Sequence, residues 1–357
     1  MGAMISLVRG DDRYANVSQS LALIAGQVSF DGVGSLVVKP NLVGHRPLSA
    51  THIDALRAVL GFVRARYDGK LILAEGAALH NTLDSFEHYG FDQLASIYDF
   101  EMVDLNADAV VSVEVRDRRL RPQTLRIART VVDAGMRISV GPPKTHDAAI
   151  ITCAIKNMVM GTLVNRMAAE RKPEADAEVV RRPRLRLLPI LAKIVPYSWR
   201  YSRLAHLVAG RMAANSNSDK YAMHQSYPTI NLNIAKLAPW VWPDIAVVDG
   251  YIAMEGAGPT RGDPVDWRVA LAGTDALAVD SMVASLMGFD PAGIGYLSYC
   301  RQMGLGEGDV AAIETVGNVV PSDVRRQFRP HPAYQQQMAW PLEEAKKYLE
   351  KARVAAT

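Results

Sequence analysis

The residues best suited to chemistry lie in one segment, residues 142–161, which reads PPKTHDAAIITCAIKNMVMG. Lys144 and His146 follow a short β-branched run, and Lys156 and Asn157 come later inside an apolar stretch. Lysine is seldom buried without a partner, so Lys156 predicts a carboxylate, a carbonyl or a bound anion beside it. We expect Lys144, His146 and Lys156 to perform acid–base catalysis on a carboxylate or phosphate substrate, because burial lowers a lysine pKa toward neutrality. Asn157 would then bind the substrate, and the alternative is a structural ion pair beside a solvated histidine.

The second candidate group lies in residues 37–45, VVKPNLVGH, where a buried run ends. In open parallel sheets, ligands bind beyond the carboxyl ends of the strands. Pro40 lacks a backbone N–H and has a fixed φ, so it stiffens the exit and holds Lys39 and Asn41 in fixed directions. We expect Lys39 and Asn41 to bind the substrate, whereas the alternative is that both residues only satisfy a turn.

The third candidate group is a glycine-rich segment, residues 249–267, which reads DGYIAMEGAGPTRGDPVDW. Gly256 and Gly258 allow the backbone to approach a ligand closely, so we expect both to bind the substrate. Glu255 supplies a carboxylate that could complete the catalytic group. The segment matches neither GxxxxGK[ST] nor a GxGxxG between a strand and a helix, so nucleotide binding is not indicated. A plain glycine-rich turn between two strands is the alternative.

A variant of this site holds a divalent metal ion. Asp249, which follows an apolar run, and Asp280, on a later apolar helix, would be ligands, with Glu255 and a histidine completing the set. Hard oxygen ligands of this kind suit Mg²⁺ or Mn²⁺. Asp275, on the same later helix, could oppose the lysines or simply cap the helix. His224 follows the most basic part of the chain, and we expect it to fold over the site and bind the substrate.

Short β-branched runs that alternate with helical patterns must position these groups. Four runs are typical of strands buried on both faces, which indicates a parallel sheet. These runs are residues 35–39, 70–74, 137–140 and 244–248. Amphipathic helices are predicted at residues 51–67, with Thr51 as the N-cap, and at residues 275–288. Residues 116–121 and 123–132 are predicted to form short strands or a hairpin.

The fold class that follows is α/β, a mostly parallel sheet with flanking helices and a basic helical insertion. Residues 5–165 and 218–330 would form the core domain. Residues 166–217 break the rhythm of strands and helices with clustered arginines and several prolines, so we predict an inserted lid or helical subdomain. Residues 331–357 would form a C-terminal helix. Over residues 341–354, a starting proline and Glu–Lys pairs three or four positions apart predict a solvated helix.

The composition is that of an ordinary globular protein, with 49% hydrophobic and 22% charged residues in 357. A net charge of +3 is too small for a dedicated nucleic-acid-binding protein. Cys153 and Cys300 form no CxxC pair, so neither a disulfide scaffold nor a cysteine-ligated metal is indicated. Residues 2–4 are typical of a tag remnant and are not assigned to an element. No secretory signal and no long apolar run occurs, so we expect a cytoplasmic protein.

Taken together, the ordered motifs make the chain resemble the domain of unknown function 362 family from residue 36 to about residue 308. The resemblance implies an α/β fold and the same lysines, histidine and acidic loop. Some members of that family look like iron–sulfur proteins because they carry added ferredoxin-type cysteine motifs. This chain has none, so no iron–sulfur cluster is expected. The matching motifs are KPN at 39–41, TH at 51–52, PKTH at 143–146, KNMVMG at 156–161, His224 with its following helix, DGYIAMEGAGPTRGDP at 249–264 and LAGTDALAVDSMVASLMGFDP at 271–291.

The favoured interpretation is a small-molecule enzyme of specialised metabolism that acts on an anionic substrate, with a divalent metal such as Mg²⁺ as an optional cofactor. A homo-oligomer is expected, because an oligomer-covering lid explains the basic, apolar insertion. The alternative is a non-catalytic ligand-binding or membrane-peripheral protein whose basic insertion contacts an anionic surface. We favour the lid over membrane contact, and we expect no specific nucleic-acid partner.

Overall fold

The computed structural model describes residues 2–170 and 218–349. The strands are β1 (Met4–Arg9), β2 (Ser35–Lys39), β3 (Lys70–Glu75), β4 (Glu101–Asp104), β5 (Val110–Arg116), β6 (Pro122–Ala128), β7 (Met136–Gly141), β8 (Lys144–His146), β9 (Ile150–Thr152), β10 (Ile245–Glu255), β11 (Asp263–Gly273) and β12 (Glu314–Gly317). The helices are α1 (Arg13–Ile24), α2 (Ile53–Arg64), α3 (Thr82–His88), α4 (Ala95–Tyr98), α5 (Arg129–Val132), α6 (Ala154–Thr162), α7 (Arg166–Ala169), α8 (Asp219–Ala222), α9 (Tyr227–Leu237), α10 (Ala276–Leu286), α11 (Gly295–Gln302), α12 (Pro321–Val324) and α13 (Tyr334–Gln337).

The centre of the molecule is a 10-stranded mixed sheet. Its main path runs β12-β1-β11-β10-β7-β2-β3-β4, and β8 joins β10 while β9 pairs with β8. The neighbours from β10 to β4 are all parallel, whereas β11 runs antiparallel to both β1 and β10. The predicted α/β fold with a mostly parallel sheet is confirmed. Since β7, β2 and β3 are adjacent and parallel, their carboxyl ends meet at one edge of the sheet.

Helices cover both faces of the sheet. Because side chains alternate along each strand, neighbouring residues pack into the cores on opposite faces. Val37 and Ile72 belong to the core that contains α6, α9 and α10, whereas Leu36 and Val38 belong to the core that contains α1 and α2. Strands that are buried on both faces in this way carry continuous apolar runs, as the sequence pattern requires. The result is three layers, with helices on either side of a sheet.

The two predicted long helices are present in shorter form. Helix α2 begins at Ile53, and its N-cap is the His52 side chain, which accepts the N–H of Asp54, rather than Thr51. The Thr51 hydroxyl instead accepts the Asn41 N–H and donates to the Val140 carbonyl, which links the β2 exit to β7. Helix α10 begins one residue after Asp275, whose side chain caps it.

Two of the predicted short elements are corrected by the structure. The strand predicted to end at residue 248 continues to Glu255 as β10 and pairs with β11 in a long antiparallel hairpin. The hairpin predicted over residues 116–121 and 123–132 is present as β5–β6, but its bounds are shifted: the first strand begins at Val110, residues 117–121 form the turn, and the second strand ends at Ala128. Met4 begins β1 and pairs with Glu314 of β12, so it belongs to the fold and not to a tag remnant.

The insertion predicted over residues 166–217 lies almost entirely outside the described residues, which include only α7 and the short stretch around it. The C-terminal helix predicted over residues 341–354 is helical from residue 345 to the end of the described part at 349. Its predicted solvation is wrong for one face, because Tyr348 and Leu349 are buried and the Lys236 ammonium donates to the Tyr348 carbonyl. None of the helices within 2–170 and 218–349 has the length and apolar character needed to cross a bilayer.

Candidate functional site

A cavity of about 410 Å³ opens at the edge where the parallel strands end. Four regions of the chain form its walls: the exits from β2 and β3, the β8–β9 hairpin with α6, the short helix α8, and the turn between β10 and β11. Polar side chains from the first three regions converge on its floor. This is the position where open parallel sheets bind ligands.

Lys39 lies beneath the floor and is fully engaged by the protein. Its ammonium donates to Glu75 Oε2 at 2.6 Å, to Asn157 Oδ1 at 2.9 Å and to the Pro40 carbonyl at 3.0 Å. Burial lowers the pKa of Lys39, and the charge of Glu75 partly offsets that effect. Because an ammonium has three protons, Lys39 has none left to donate to a substrate. The substrate-binding role predicted for Lys39 is therefore replaced by support of Glu75 and Asn157.

Lys144 is also completely buried beneath the cavity. It donates to Asn41 Oδ1 and, at 3.0 Å, to the Ser49 carbonyl. Asn41 Nδ2 in turn donates to Asn157 Oδ1 at 2.8 Å, so the two lysines are joined through two asparagines. Burial lowers the pKa of Lys144 to about 7, with a smaller contribution from the neighbouring charge of Lys156. Asn41 and Asn157 line the cavity, whereas the two lysines are not among its lining residues.

Lys156 differs from both of these lysines because it lines the cavity and has one hydrogen-bond partner among the described residues. It lies on the first turn of α6 with 3% exposure, and its ammonium nitrogen is 2.9 Å from His146 Nε2. Among the described residues, Lys156 forms no ion pair and no other hydrogen bond. Burial lowers its pKa to about 8, an effect that the nearby Asp147 charge opposes. A buried ammonium with one neutral partner lacks the ion pair that usually accompanies a buried charge.

His146 is held so that its tautomer depends on the charge of Lys156. The Ala148 N–H lies 2.9 Å from Nδ1, and an Asp147 carboxylate oxygen lies 3.1 Å from the same nitrogen. When Nδ1 accepts from Ala148, the ring proton is on Nε2 and faces a neutral Lys156 amine. When the ring proton is instead on Nδ1, beside the Asp147 carboxylate, Nε2 accepts from the Lys156 ammonium. Burial and the Lys156 charge lower the pKa of His146 well below its usual value, so the ring stays neutral in both arrangements.

Two more polar groups complete the floor. Thr152, at the end of β9, is 5% exposed and lines the cavity, and its hydroxyl has no hydrogen-bond partner among the described residues. Lys220 of α8 donates to the carbonyls of Met160 and Gly161 at the other end of α6, and burial lowers its pKa to about 7. An unsatisfied buried hydroxyl is costly, so Thr152 is a natural donor to a bound ligand.

His224 lies where the sequence predicts, beside the floor. Its ring stacks against that of His146 with centroids 6.3 Å apart, and its Nδ1 donates to the Lys220 carbonyl at 2.8 Å. It lines the cavity together with the neighbouring Tyr221. The cavity therefore brings together five of the predicted residues, and these are Asn41, His146, Lys156, Asn157 and His224.

Close packing at Gly161 holds the supporting network in place. A Cβ atom at Gly161 would lie 2.0 Å from both Cε and Nζ of Lys39 and 2.6 Å from Glu75 Oε1. Glu75 uses that oxygen to accept the Gly76 N–H. Only glycine leaves room for the Lys39–Glu75 pair to reach Asn157 at this point of α6.

The glycine-rich segment, residues 249–267, does not bring its acidic residues to the cavity floor. Glu255 accepts the Arg329 N–H at 2.9 Å and is close to its guanidinium, so its predicted catalytic role has no support from the geometry. Gly256 has a φ of +74° and begins the β10–β11 turn, and a Cβ atom at Gly258 would lie 2.0 Å from the Thr145 carbonyl oxygen. These two glycines allow the turn and its close packing, in agreement with the alternative of a plain glycine-rich turn between two strands. The turn reaches the cavity only through residues 259–260.

The two carboxylates predicted to bind a metal lie on opposite faces of the sheet. Asp249 faces α1 and pairs with Arg13 at 3.3 Å. Asp280 of α10 accepts the N–H groups of Ala154 and Ile155, which fixes the start of α6, and burial raises its pKa to about 7. The predicted metal pair is not brought together. In the described part of the chain, no group of three or more His, Cys, Asp and Glu side chains is arranged to hold a metal ion.

Several functional residues were missed by the sequence reasoning. Glu75 ends β3, so the rule that selected Lys39 at the end of β2 would also have selected it. Lys220 lies four positions before His224, on the same face of a helical turn, and Thr152 lies within the segment already selected. Asp147 follows His146 directly, but no feature of the sequence around it indicates a role.

The sequence matches a protein-family model. The model described as "Domain of unknown function (DUF362)" matches residues 36–285, which is more than half of the chain. The chain belongs to this family. The matched range contains every residue of the cavity floor. The predicted resemblance to the DUF362 family is confirmed.

A relative and a solved structure were also found. A curated relative, "Thylakoid-associated protein sll1697" of Synechocystis sp., is 22% identical over 295 residues, which cover 82% of this DUF362 chain and 75% of the relative. A lactate racemase apoprotein from Thermoanaerobacterium thermosaccharolyticum matches with a TM-score of 0.40 and 13% identity, over 75% of this chain. This chain spans 54% of that protein's length.

Proposed function

We propose that this DUF362 protein is an enzyme that binds a small anionic substrate, a carboxylate or a phosphate, in the cavity and moves a proton with the Lys156–His146 pair. One observation carries the proposal: Lys156 is a buried cation on the cavity floor with a neutral histidine as its partner among the described residues. A cation that forms no ion pair is costly inside a protein, and an anionic ligand in contact with it would remove that cost.

The geometry also supports proton transfer. A lysine whose pKa is about 8 exchanges between ammonium and amine near neutral pH, and acid–base groups work best when their pKa lies near the working pH. As an amine, Lys156 can accept a proton from the substrate. The ammonium that results stays beside the anion, 2.9 Å from His146 Nε2, and can return its proton to the substrate. His146 stays neutral, because burial lowers its pKa well below the usual value.

Calorimetry with a simple anion tests this proposal. Above pH 8, the Lys156 amine of the empty protein must take up a proton to hold an anion, so binding of acetate or phosphate should draw protons from the buffer. The measured enthalpy should therefore change between two buffers that have different ionisation enthalpies. Lys156→Met should weaken binding at least tenfold and remove most of that proton uptake while circular dichroism stays the same.

Leu83→Ser is a matched control, because Leu83 is exposed on α3 and does not line the cavity. It should bind acetate and take up protons as the unmodified protein does. If the unmodified protein binds neither anion, or if Lys156→Met binds them equally well, the proposed function is wrong.

A further inference from the structure

The cavity is polar at its floor and apolar at its mouth. The polar groups on the floor are buried: Lys156 and Thr152 are only 3% and 5% exposed. The mouth is defined here as Val43, Ala78, Leu79, Met160, Tyr221 and Pro259, which are half-buried or exposed and line the same cavity. Leu79 and Tyr221 are the most open of these residues, with 39% and 42% exposure.

This gradient follows from the order of residues along the connections that leave the sheet. At the β2 exit, Asn41 comes first and Val43 lies further out. At the β3 exit, Glu75 comes first and Leu79 lies four residues further out. Each connection therefore contributes a polar group beside the strand end and an apolar group towards solvent.

Helix α6 and helix α8 repeat the same arrangement. Lys156 lies on the first turn of α6, and Met160, one turn later, faces the same cavity. On α8, Lys220 is buried against the end of α6 while the adjacent Tyr221 is exposed at the mouth. Large apolar side chains exposed around a concave site, together with a few convergent polar groups, are typical of small-molecule pockets.

We propose that the ligand is an organic acid with an apolar body, which binds with its carboxylate or phosphate on the floor and its body against the mouth. This inference rests on the proposed function, and it adds the class of substrate and its orientation. A cavity of about 410 Å³ is at the lower end of the size range of small-molecule sites, which suits a single aromatic ring or a medium-length alkyl chain. A small hydrophilic acid would leave the apolar mouth in contact with water.

Calorimetric titration with a series of ligands tests the inference on the complete chain. The probes are acetate, butanoate, hexanoate and octanoate, with octan-1-ol as the uncharged ligand and octyl phosphate as the phosphate counterpart. Each methylene group that is buried should tighten binding about fourfold until the cavity is filled. Octanol should bind at least tenfold more weakly than the better of the two eight-carbon anions, and the comparison of octanoate with octyl phosphate identifies the head group.

Leu79→Ser is the variant that isolates the mouth, because Leu79 is exposed enough to be replaced without a loss of core packing. It should weaken octanoate binding about threefold to tenfold and leave acetate binding unchanged. Leu83→Ser, which changes a leucine that is also exposed but lies outside the cavity, should leave both unchanged.

The possible results separate the two proposals. A rise in affinity with chain length that Leu79→Ser reduces supports the inference. Equal affinity for acetate and octanoate overturns the inference and leaves the anion-binding function intact. Octanol binding as tightly as the better of the two eight-carbon anions, or no binding of any anion, overturns the proposed function and the inference with it.

Discussion

Two buried lysines of the same site differ in how many hydrogen-bond partners they have. Lys39, beneath the floor, donates three hydrogen bonds and pairs with Glu75. Lys156, on the floor, has His146 as its polar partner in the described part of the chain. The two side chains are almost equally buried. Burial alone therefore does not separate the two lysines, whereas the number of satisfied protons distinguishes Lys39 from Lys156, the lysine that we propose binds the ligand.

The largest expected effect tests the supporting lysine. Lys39→Met removes the counter-charge of a buried carboxylate and should lower the free energy of unfolding by about 3–5 kcal/mol. Lys156→Met removes no ion pair within the described residues, so it should change that free energy by about 1 kcal/mol or less. Chemical denaturation of the two variants measures both values. Equal destabilisation would show that the two lysines have the same structural role.

A double variant shows whether the Lys39 effect comes from the charge. Adding Glu75→Gln to Lys39→Met removes the uncompensated carboxylate and should recover a large part of the lost stability. If the double variant is less stable than Lys39→Met alone, the loss arises from packing instead.

A smaller effect is expected at the glycine that packs against the supporting network. Gly161→Ala places a methyl group 2.0 Å from Lys39 Nζ, so it should displace the lysine and cost about 1–3 kcal/mol in the free energy of unfolding. Gly26→Ala is the matched control, because its added Cβ meets nothing within 4 Å. Thermal unfolding of the two variants should differ clearly, and a neutral Gly161→Ala would mean that the network is not close-packed.

The smallest effects are expected for Thr152 on the cavity floor, where one substitution should not lower stability but should weaken anion binding. Thr152→Val removes a buried hydroxyl that has no partner among the described residues, so stability should stay the same or rise slightly. Anion affinity should fall about twofold to tenfold, because one donor to the ligand is lost. Thr162→Val is the control, since that hydroxyl already donates to the Met158 carbonyl at 2.7 Å. Chemical unfolding and anion titration of both variants measure these effects. A loss of stability in Thr152→Val without a loss of affinity would contradict a role of the Thr152 hydroxyl as a donor to the ligand.

Much of the fold could be predicted from the sequence because its central strands are short β-branched runs buried on both faces. The rule that ligands bind at strand ends led to Asn41 and His146, and both line the cavity. It failed at Glu255, because the strand before that residue continues into a hairpin and carries it away from the floor. Pattern alone could not separate the role of Lys39 from that of Lys156, since the difference lies in partners brought from distant parts of the chain.

The most direct test of the central claim is a crystal structure of the protein with 4-bromobenzoate, whose bromine can be located by anomalous scattering. A carboxylate oxygen should lie within hydrogen-bond distance of Lys156 Nζ and the Thr152 hydroxyl, with the bromine directed towards Leu79 and Tyr221. An anomalous peak outside the cavity, or a ring inserted with its carboxylate at the mouth, would show that the proposed binding mode is wrong.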